Sequence, residues 1–240
     1  MLIGIQSSTG ARSGKDTVAA MLLEGLQSNH IIESYAFASP IKQSINELFG
    51  WDERHEDGAL KEIVLPTFLP SKDQWTEVVG NFYRKHENLN TILQCYNTGC
   101  QINAVFEAWA FDNKRVVKSM NLDGYTQGGL LLHVSPREVY QLFGTEMMRE
   151  CVADSFWTDI APTENVIITD VRFKNETEWL FANNGVLIDV KRPDNQVSVA
   201  AHASEAGTGV GADYEIVNDG TLEQLEQEVM ELVERLERHE

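Results

Sequence analysis

Short apolar runs and longer mixed stretches take turns along most of this chain. Residues 1–6 (MLIGIQ), 31–37 (IIESYAF), 166–170 (VIITD), 186–190 (VLIDV) and 213–217 (DYEIV) are brief, rich in Ile and Val, and bounded by turn residues. That is the composition of buried strands. Between them lie helical stretches: 18–26, Ser39 to about Leu48, Ser135 to about Glu150, 176–184 and 221–238. Strands alternating with helices predict an α/β fold, a parallel sheet flanked by helices. Ser39-Pro40 supplies an N-cap followed by proline at the first helical position, and Gly50 ends that helix. Ser135-Pro136-Arg137-Glu138 is a capping box. Gly185 stops the helix over 176–184, and Asn218-Asp219-Gly220 turns the chain into the last one. There Leu222, Leu225, Val229, Leu232 and Leu236 form a stripe too short for a convincing coiled coil, so it packs against the sheet.

Residues 51–130 interrupt the alternation. They hold Trp51, Trp75, Trp109, Phe68, Phe82 and Tyr96 among other aromatics, too apolar for a disordered linker. The reading is a mostly helical lobe inserted in a single domain spanning 1–240.

The 240 residues are enough for one well-buried domain. No run of about 18 apolar residues exists to span a membrane. Residues 1–6 are too short, and lack the basic flank, for a signal peptide. Cys95, Cys100 and Cys151 cannot pair fully and lack zinc spacing, which fits free thiols in a reducing cytoplasm. The net charge of −18 argues against DNA or RNA as a partner. Any anionic ligand must therefore be met by local cations, the candidates being Arg12, Lys15, Lys42, Arg137, Arg172, Lys174, Lys191 and Arg192.

Between the first strand and first helix stands Thr9-Gly10-Ala11-Arg12-Ser13-Gly14-Lys15-Asp16-Thr17. This is the layout of a phosphate-binding loop. Its glycines let backbone N–H groups close on a polyphosphate, the helix N-terminus adds partial positive charge, and Lys15 reaches the β/γ-phosphates. Thr9 replaces the usual first glycine, and Asp16 rather than Ser or Thr follows Lys15. Asp16 offers oxygen to Mg²⁺, directly or through water. A nucleoside triphosphate is the expected ligand.

On the helix opened by Ser135, Arg137, Gln141, Gly144 and Thr145 fall within about 80° of one another, while Val139, Leu142 and Phe143 point away. Two readings stand. One is a ligand face, with Arg137 on a phosphate and Gln141 and Thr145 on a sugar or base. The other is a polar face whose glycine admits a neighbour. Asp170-Val171-Arg172, with Glu176 four residues on from Arg172, follows a strand at its carboxyl end, where open α/β sheets bind ligands. Asp170 there orients Mg²⁺ or an acceptor hydroxyl, and Arg172 faces a transferring phosphoryl group. The alternative is ion pairs of Arg172 with Asp170 and Glu176. Lys191-Arg192-Pro193, with His202, Glu205 and Gly207, is a loop over adenine or phosphates, or a solvated loop. Lys42 is an acceptor-phosphate contact or an exposed lysine.

The ordered set Gly10-x-Arg12-Ser13-Gly14-Lys15-Asp16-Thr17, Pro40-Ile41-Lys42, Arg137-x-x-x-Gln141-x-x-Gly144-Thr145, Trp157, Thr169-Asp170-x-Arg172-x-x-x-Glu176, Arg192-Pro193, His202-x-x-Glu205-Ala206-Gly207 and Asn218-Asp219-Gly220 resembles the deoxynucleoside monophosphate kinases of tailed bacteriophages. It covers nearly the whole chain outside 51–130. The resemblance implies a phosphate-loop kinase fold and the reaction ATP + dNMP → ADP + dNDP with Mg²⁺. It also implies a supply of precursors for phage DNA synthesis in the host cytoplasm, and allows a homodimer. In it Gly10 to Thr17 hold ATP, and Asp16 and Asp170 serve Mg²⁺. Lys42, Arg137, Gln141, Gly144, Thr145, Trp157, Asp170, Arg172 and Glu176 form the acceptor site. Lys15, Arg12, Asp16, Arg137, Asp170 and Arg172 carry the chemistry.

Two other readings compete. A kinase of another phosphorylated acceptor, such as phosphomevalonate, shares the Ser-Gly-Lys-Asp loop. A nucleotide-dependent ATPase or switch is the second, although no Asn-Lys-x-Asp guanine motif is present and Val171, not a catalytic Glu, follows Asp170.

Overall fold

Leu2–Gln6 is buried along its whole length, as a central strand covered on both faces must be. The structure is a computed structural model that describes residues 1–10, 12–28, 30–56, 60–85, 92–118, 130–193 and 208–238. In chain order the elements are β1 (Leu2–Gln6), α1 (Lys15–Gln27), β2 (Glu33–Tyr35), α2 (Ala38–Phe49), α3 (Glu53–Glu56), β3 (Leu65–Phe68), α4 (Lys72–Lys85), α5 (Ile92–Asp112), β4 (Val116–Lys118), β5 (Leu130–Val134), α6 (Pro136–Leu142), α7 (Phe156–Asp159), β6 (Val166–Ile168), α8 (Lys174–Ala182), β7 (Val186–Lys191), β8 (Tyr214–Val217) and α9 (Leu222–Arg238). A π-helical segment, Phe143–Arg149, continues α6. The chain divides into two compact units, Met1–Phe37 with Trp157–Glu240, and Ala38–Phe156.

The first unit holds a parallel sheet in the order β2-β6-β1-β7-β8. Successive residues of β1 face opposite sides. Ile3 and Ile5 join Val18, Leu22 and Leu26 of α1 and Leu225, Val229, Leu232 and Leu236 of α9 in one core. Gly4 faces α8, where a Cβ would lie 2.6 Å from Leu180 Cδ2, so a larger residue would push Leu180 aside. The α9 stripe packs on α1 beside the sheet, with Leu222 left exposed. Each buried leucine is worth about 1.5–3 kcal/mol, against about 0.3–0.5 kcal/mol for the exposed Arg238–Glu234 pair, so burial fixes α9. α1 carries the chain from β1 past β6 to β2, and α8 carries it from β6 past β1 to β7. The loop after β1 therefore opens at a topological switch point, at the carboxyl edge of the sheet.

Element edges differ from expectation for local reasons. β2 is confined to Glu33–Tyr35, an edge strand paired on one side, and Ile31 is 90% exposed. α2 starts at Ala38, which puts Ser39 and Pro40 inside its first turn, where the missing proline N–H would be unpaired anyway. After α8 the left-handed residue is Asn184 (φ 56°), not Gly185. Gly185 is required by space, since a Cβ there would sit 2.9 Å from the Leu180 carbonyl oxygen.

The second unit contains a small antiparallel sheet, β3-β5-β4, which the hydrophobic pattern did not announce. Pro66 lies in β3, an edge strand that tolerates a missing donor. α4 packs against α5 at Gly99, where a Cβ would come within 2.7 Å of Thr76 Cα. Trp75, Phe106 and Phe143 pack ring on ring at its centre, with Phe49 and Trp51 stacked beside them. Residues 51–130 belong to this unit, and α4 and α5 supply most of their helix.

Candidate active site

In the first unit the loop between β1 and α1 is held by its main chain. Gly10 (φ 85°), Arg12 (φ 63°) and Gly14 (φ 96°) adopt left-handed backbone. Arg12 does so despite its side chain, a strained conformation of the kind that clusters at ligand clamps. The Ser8 N–H donates to Asp189 Oδ1 at 2.8 Å, and the Arg192 N–H to Thr9 Oγ1 at 3.0 Å. Thr9, at the position of the usual first glycine, thus ties the loop to the end of β7. Among the described residues no side chain caps α1, so its first N–H groups are left for an anion. Arg12, Ser13, Gly14, Lys15, Asp16 and Thr17 line an open hollow of about 190 Å³. The buried Ser13 hydroxyl has no hydrogen-bond partner among the described residues. These groups, amides and a hydroxyl around a lysine, fit a polyphosphate.

Lys15 sits below the usual lysine pKa, first because burial penalises its charge and then because the Arg172 guanidinium repels it. Asp16 and Asp170 pull in the other direction. Loop and strand-end residues are therefore brought together around Lys15. Asp170 is buried at the carboxyl end of β6 and accepts the Phe37 N–H at 2.7 Å. Burial, and after it the same carboxylate, raise the pKa of Tyr35 to about 12. Glu176 is 2% exposed, and its Oε2 accepts the backbone N–H groups of Arg172 (2.7 Å) and Phe173 (3.0 Å). It caps α8 and fixes the backbone of Arg172. Trp157 is 1% exposed, its ring buried among the core side chains.

In the second unit α6 opens on the expected capping box, with the Ser135 N–H donating to Glu138 Oε2 at 2.9 Å. The helix then widens. From Phe143 its bonds run i to i+5, as from the Glu150 N–H to the Thr145 carbonyl at 3.1 Å. The 100° face arithmetic holds for Arg137 and Gln141, while Gly144 and Thr145 lie in the wider turns. Gly144 is approached by a neighbour, since a Cβ there would sit 2.8 Å from Ile41 Cδ1. Two cations are already engaged. Arg137 Nε donates to Glu62, and Lys42 Nζ lies 3.6 Å from Glu56. Glu56 also accepts from Asn46 (2.8 Å), which accepts the Tyr140 hydroxyl (2.6 Å).

Lys191 pairs with Glu215, and Arg192 offers its main chain to the loop. Ala11, His202, Glu205 and Gly207 lie outside the described residues. One contributor escaped the motif reading. Asp189, 4% exposed, grips the loop from β7, and its signal was an acid inside an otherwise apolar strand.

The family model for deoxynucleotide monophosphate kinases matches residues 2–229. Over 230 residues the chain is 26% identical to the deoxynucleoside-5'-monophosphate kinase of Escherichia phage T5, covering 86% of this chain and 84% of that protein. Over 241 residues it is 27% identical to the deoxynucleotide monophosphate kinase of Enterobacteria phage T4, covering 89% and 91%. With a phosphate loop at the sheet's switch point and a family match over nearly its whole length, the chain belongs to the deoxynucleotide monophosphate kinase family.

Proposed function

We propose that the chain transfers the γ-phosphate of ATP to a deoxynucleoside monophosphate, giving ADP and the diphosphate, as a step in phage DNA precursor supply in the host cytoplasm. The observation that carries this is the tethered loop around Lys15, with Arg172, Asp16 and Asp170 in electrostatic range. The acceptor monophosphate is itself an anionic nucleophile, so the protein's work is positioning and charge stabilisation. The loop amides from Gly10 to Thr17 and Lys15 hold the β/γ-phosphates. Arg12, Arg137 and Arg172 meet the acceptor phosphate and the charge spread over the transferring group. Lys42 assists at the acceptor phosphate, and Gln141 and Thr145 read the nucleoside. Glu176 positions Arg172 through the backbone, and Gly144 and Trp157 complete the nucleoside pocket.

The oxygen donors of Asp16, which lines the hollow, and Asp170, at the strand end, suit Mg²⁺, which binds through one or two carboxylates plus phosphate and water. Asp16 and Asp170 would hold the ion, which would supply neutralising charge at the phosphates. The whole chain acts as one kinase domain in which 51–130 is an inserted lobe, and it works alone or as a homodimer on small nucleotides. Among the described residues no helix is long and apolar enough to cross a membrane.

A coupled ATP-consumption assay with Mg²⁺ and a panel of dAMP, dGMP, dCMP, dTMP, their ribonucleotides and phosphomevalonate tests the proposal. Turnover with deoxynucleotides and little with ribonucleotides is expected. Turnover with phosphomevalonate alone, or ATP hydrolysis indifferent to every acceptor, would overturn it.

A further inference from the structure

The turn after β8 reaches back 205 residues to the phosphate loop. Asn218 Nδ2 donates to the Ser13 carbonyl at 2.9 Å. Asn218 is itself anchored, because its N–H donates to the Lys191 carbonyl at 2.8 Å, at the end of β7. The opposite amide orientation would set two oxygens face to face, so the assignment is fixed by the bond it makes. The Ser13 carbonyl and the Gly14 N–H share one peptide plane and, in a trans peptide, point in opposite directions. Holding the oxygen toward Asn218 turns the N–H away from it. Gly14 is left-handed, and a Cβ there would strike the Asn218 carboxamide. The residue at 14 and the side chain at 218 are thus shaped for each other.

We propose that Asn218 is a positioning residue of the phosphate loop, its carboxamide fixing the Ser13 peptide so that the Gly14 N–H faces the hollow. It touches no substrate and acts through the loop backbone. This rests on reading the loop as the triphosphate site. Alanine removes the donor and frees the peptide to rotate. Aspartate cannot donate when ionised, and it repels both the Ser13 carbonyl and the phosphates.

The test measures ADP affinity by calorimetry and steady-state kinetics for Asn218→Ala and Asn218→Asp, with Asp219→Ala as the control in the same turn. The expected result for Asn218→Ala is a roughly tenfold rise in ADP Kd and ATP KM, the size of effect one lost hydrogen bond produces, with the monophosphate KM within about twofold. Asn218→Asp is expected to lose more, and Asp219→Ala to resemble wild type. A merely structural role would lower the folded fraction, and hence apparent kcat, while leaving ADP affinity and ATP KM unchanged. That outcome, or equal losses in Asp219→Ala, would overturn the proposal. Should either Asn218 variant fold poorly, Asn218→Ser is read by the same criteria. If Lys15→Ala also leaves ADP affinity intact, it is the reading of the loop that fails, not the role of Asn218.

Discussion

The phosphate loop and the candidate acceptor cations, Lys42 of α2 and Arg137 of α6, are held in different ways. The loop is fixed largely by its backbone, through left-handed residues at 10, 12 and 14 and the Ser8 N–H, with the Thr9 hydroxyl accepting from the Arg192 N–H. The candidate acceptor cations are long side chains in ion pairs with the protein's own acids, Arg137 with Glu62 and Lys42 with Glu56. The Arg137 and Glu62 side chains are 37% and 56% exposed, where a pair is worth about 0.2–1 kcal/mol. The lesson is that a phosphate site built from main chain is preformed, whereas one built from exposed ion pairs exchanges an internal carboxylate for its ligand.

The largest effect expected is on the loop side. Lys15→Ala and Arg172→Ala should each lower kcat/KM by about 10²-fold or more, as removal of a charge-stabilising donor does. Near-normal turnover in either variant would break the assignment. Lys15 also gives a pH signature. Burial and Arg172 depress its pKa in the free protein, so above that lowered value part of the lysine is neutral. A bound polyphosphate favours the charged form. Nucleotide binding at alkaline pH should therefore take up protons, seen by calorimetry in buffers of different ionisation enthalpy. The uptake should vanish in Lys15→Ala.

On the other side the expected change is smaller and of opposite sign. Glu62→Gln removes a competitor for Arg137, so the monophosphate KM should fall by about two- to fivefold, the equivalent of a weak exposed ion pair, with ATP KM unchanged. A raised monophosphate KM would show that Glu62 serves the ligand instead.

Tyr35 gives a purely structural signal. Its folded pKa of about 12 exceeds the ordinary value of 10, because burial and Asp170 disfavour the phenolate. The folded state therefore holds this proton longer than the unfolded chain. That contribution to stability is intact below pH 10 and is lost as pH rises toward 12. Urea unfolding across this window should show a shallower decline in Tyr35→Phe.

The same contrast explains what the sequence made legible. Main-chain features leave residue-type traces. Gly14 before Lys15, the Ile/Val runs of β1 and β6, the Ser135–Glu138 box and Gly50 (φ 69°) all stand where they were expected. Features settled by tertiary packing leave none. Nothing in FGTEMMR distinguishes a π-helix from an α-helix, and the approach to Gly144 comes from Ile41, about a hundred residues earlier. The β3-β5-β4 sheet was hidden because its strands are short and one contains Pro66. Trp157 and Glu176 were singled out by motif, but their burial and partners depend on the fold around them. The engagement of Arg137 and Lys42 by Glu62 and Glu56 pairs side chains on different elements, which spacing alone does not connect.

The central claim is that the loop around Lys15 moves a phosphoryl group from ATP to a deoxynucleoside monophosphate. Direct transfer of label from γ-labelled ATP, followed in a single turnover with wild type and Lys15→Ala, tests it most directly. Labelled deoxynucleoside diphosphate is expected from wild type, with a loss of about 10²-fold or more in the variant. Labelled inorganic phosphate without labelled diphosphate, or equal transfer by both proteins, would contradict it.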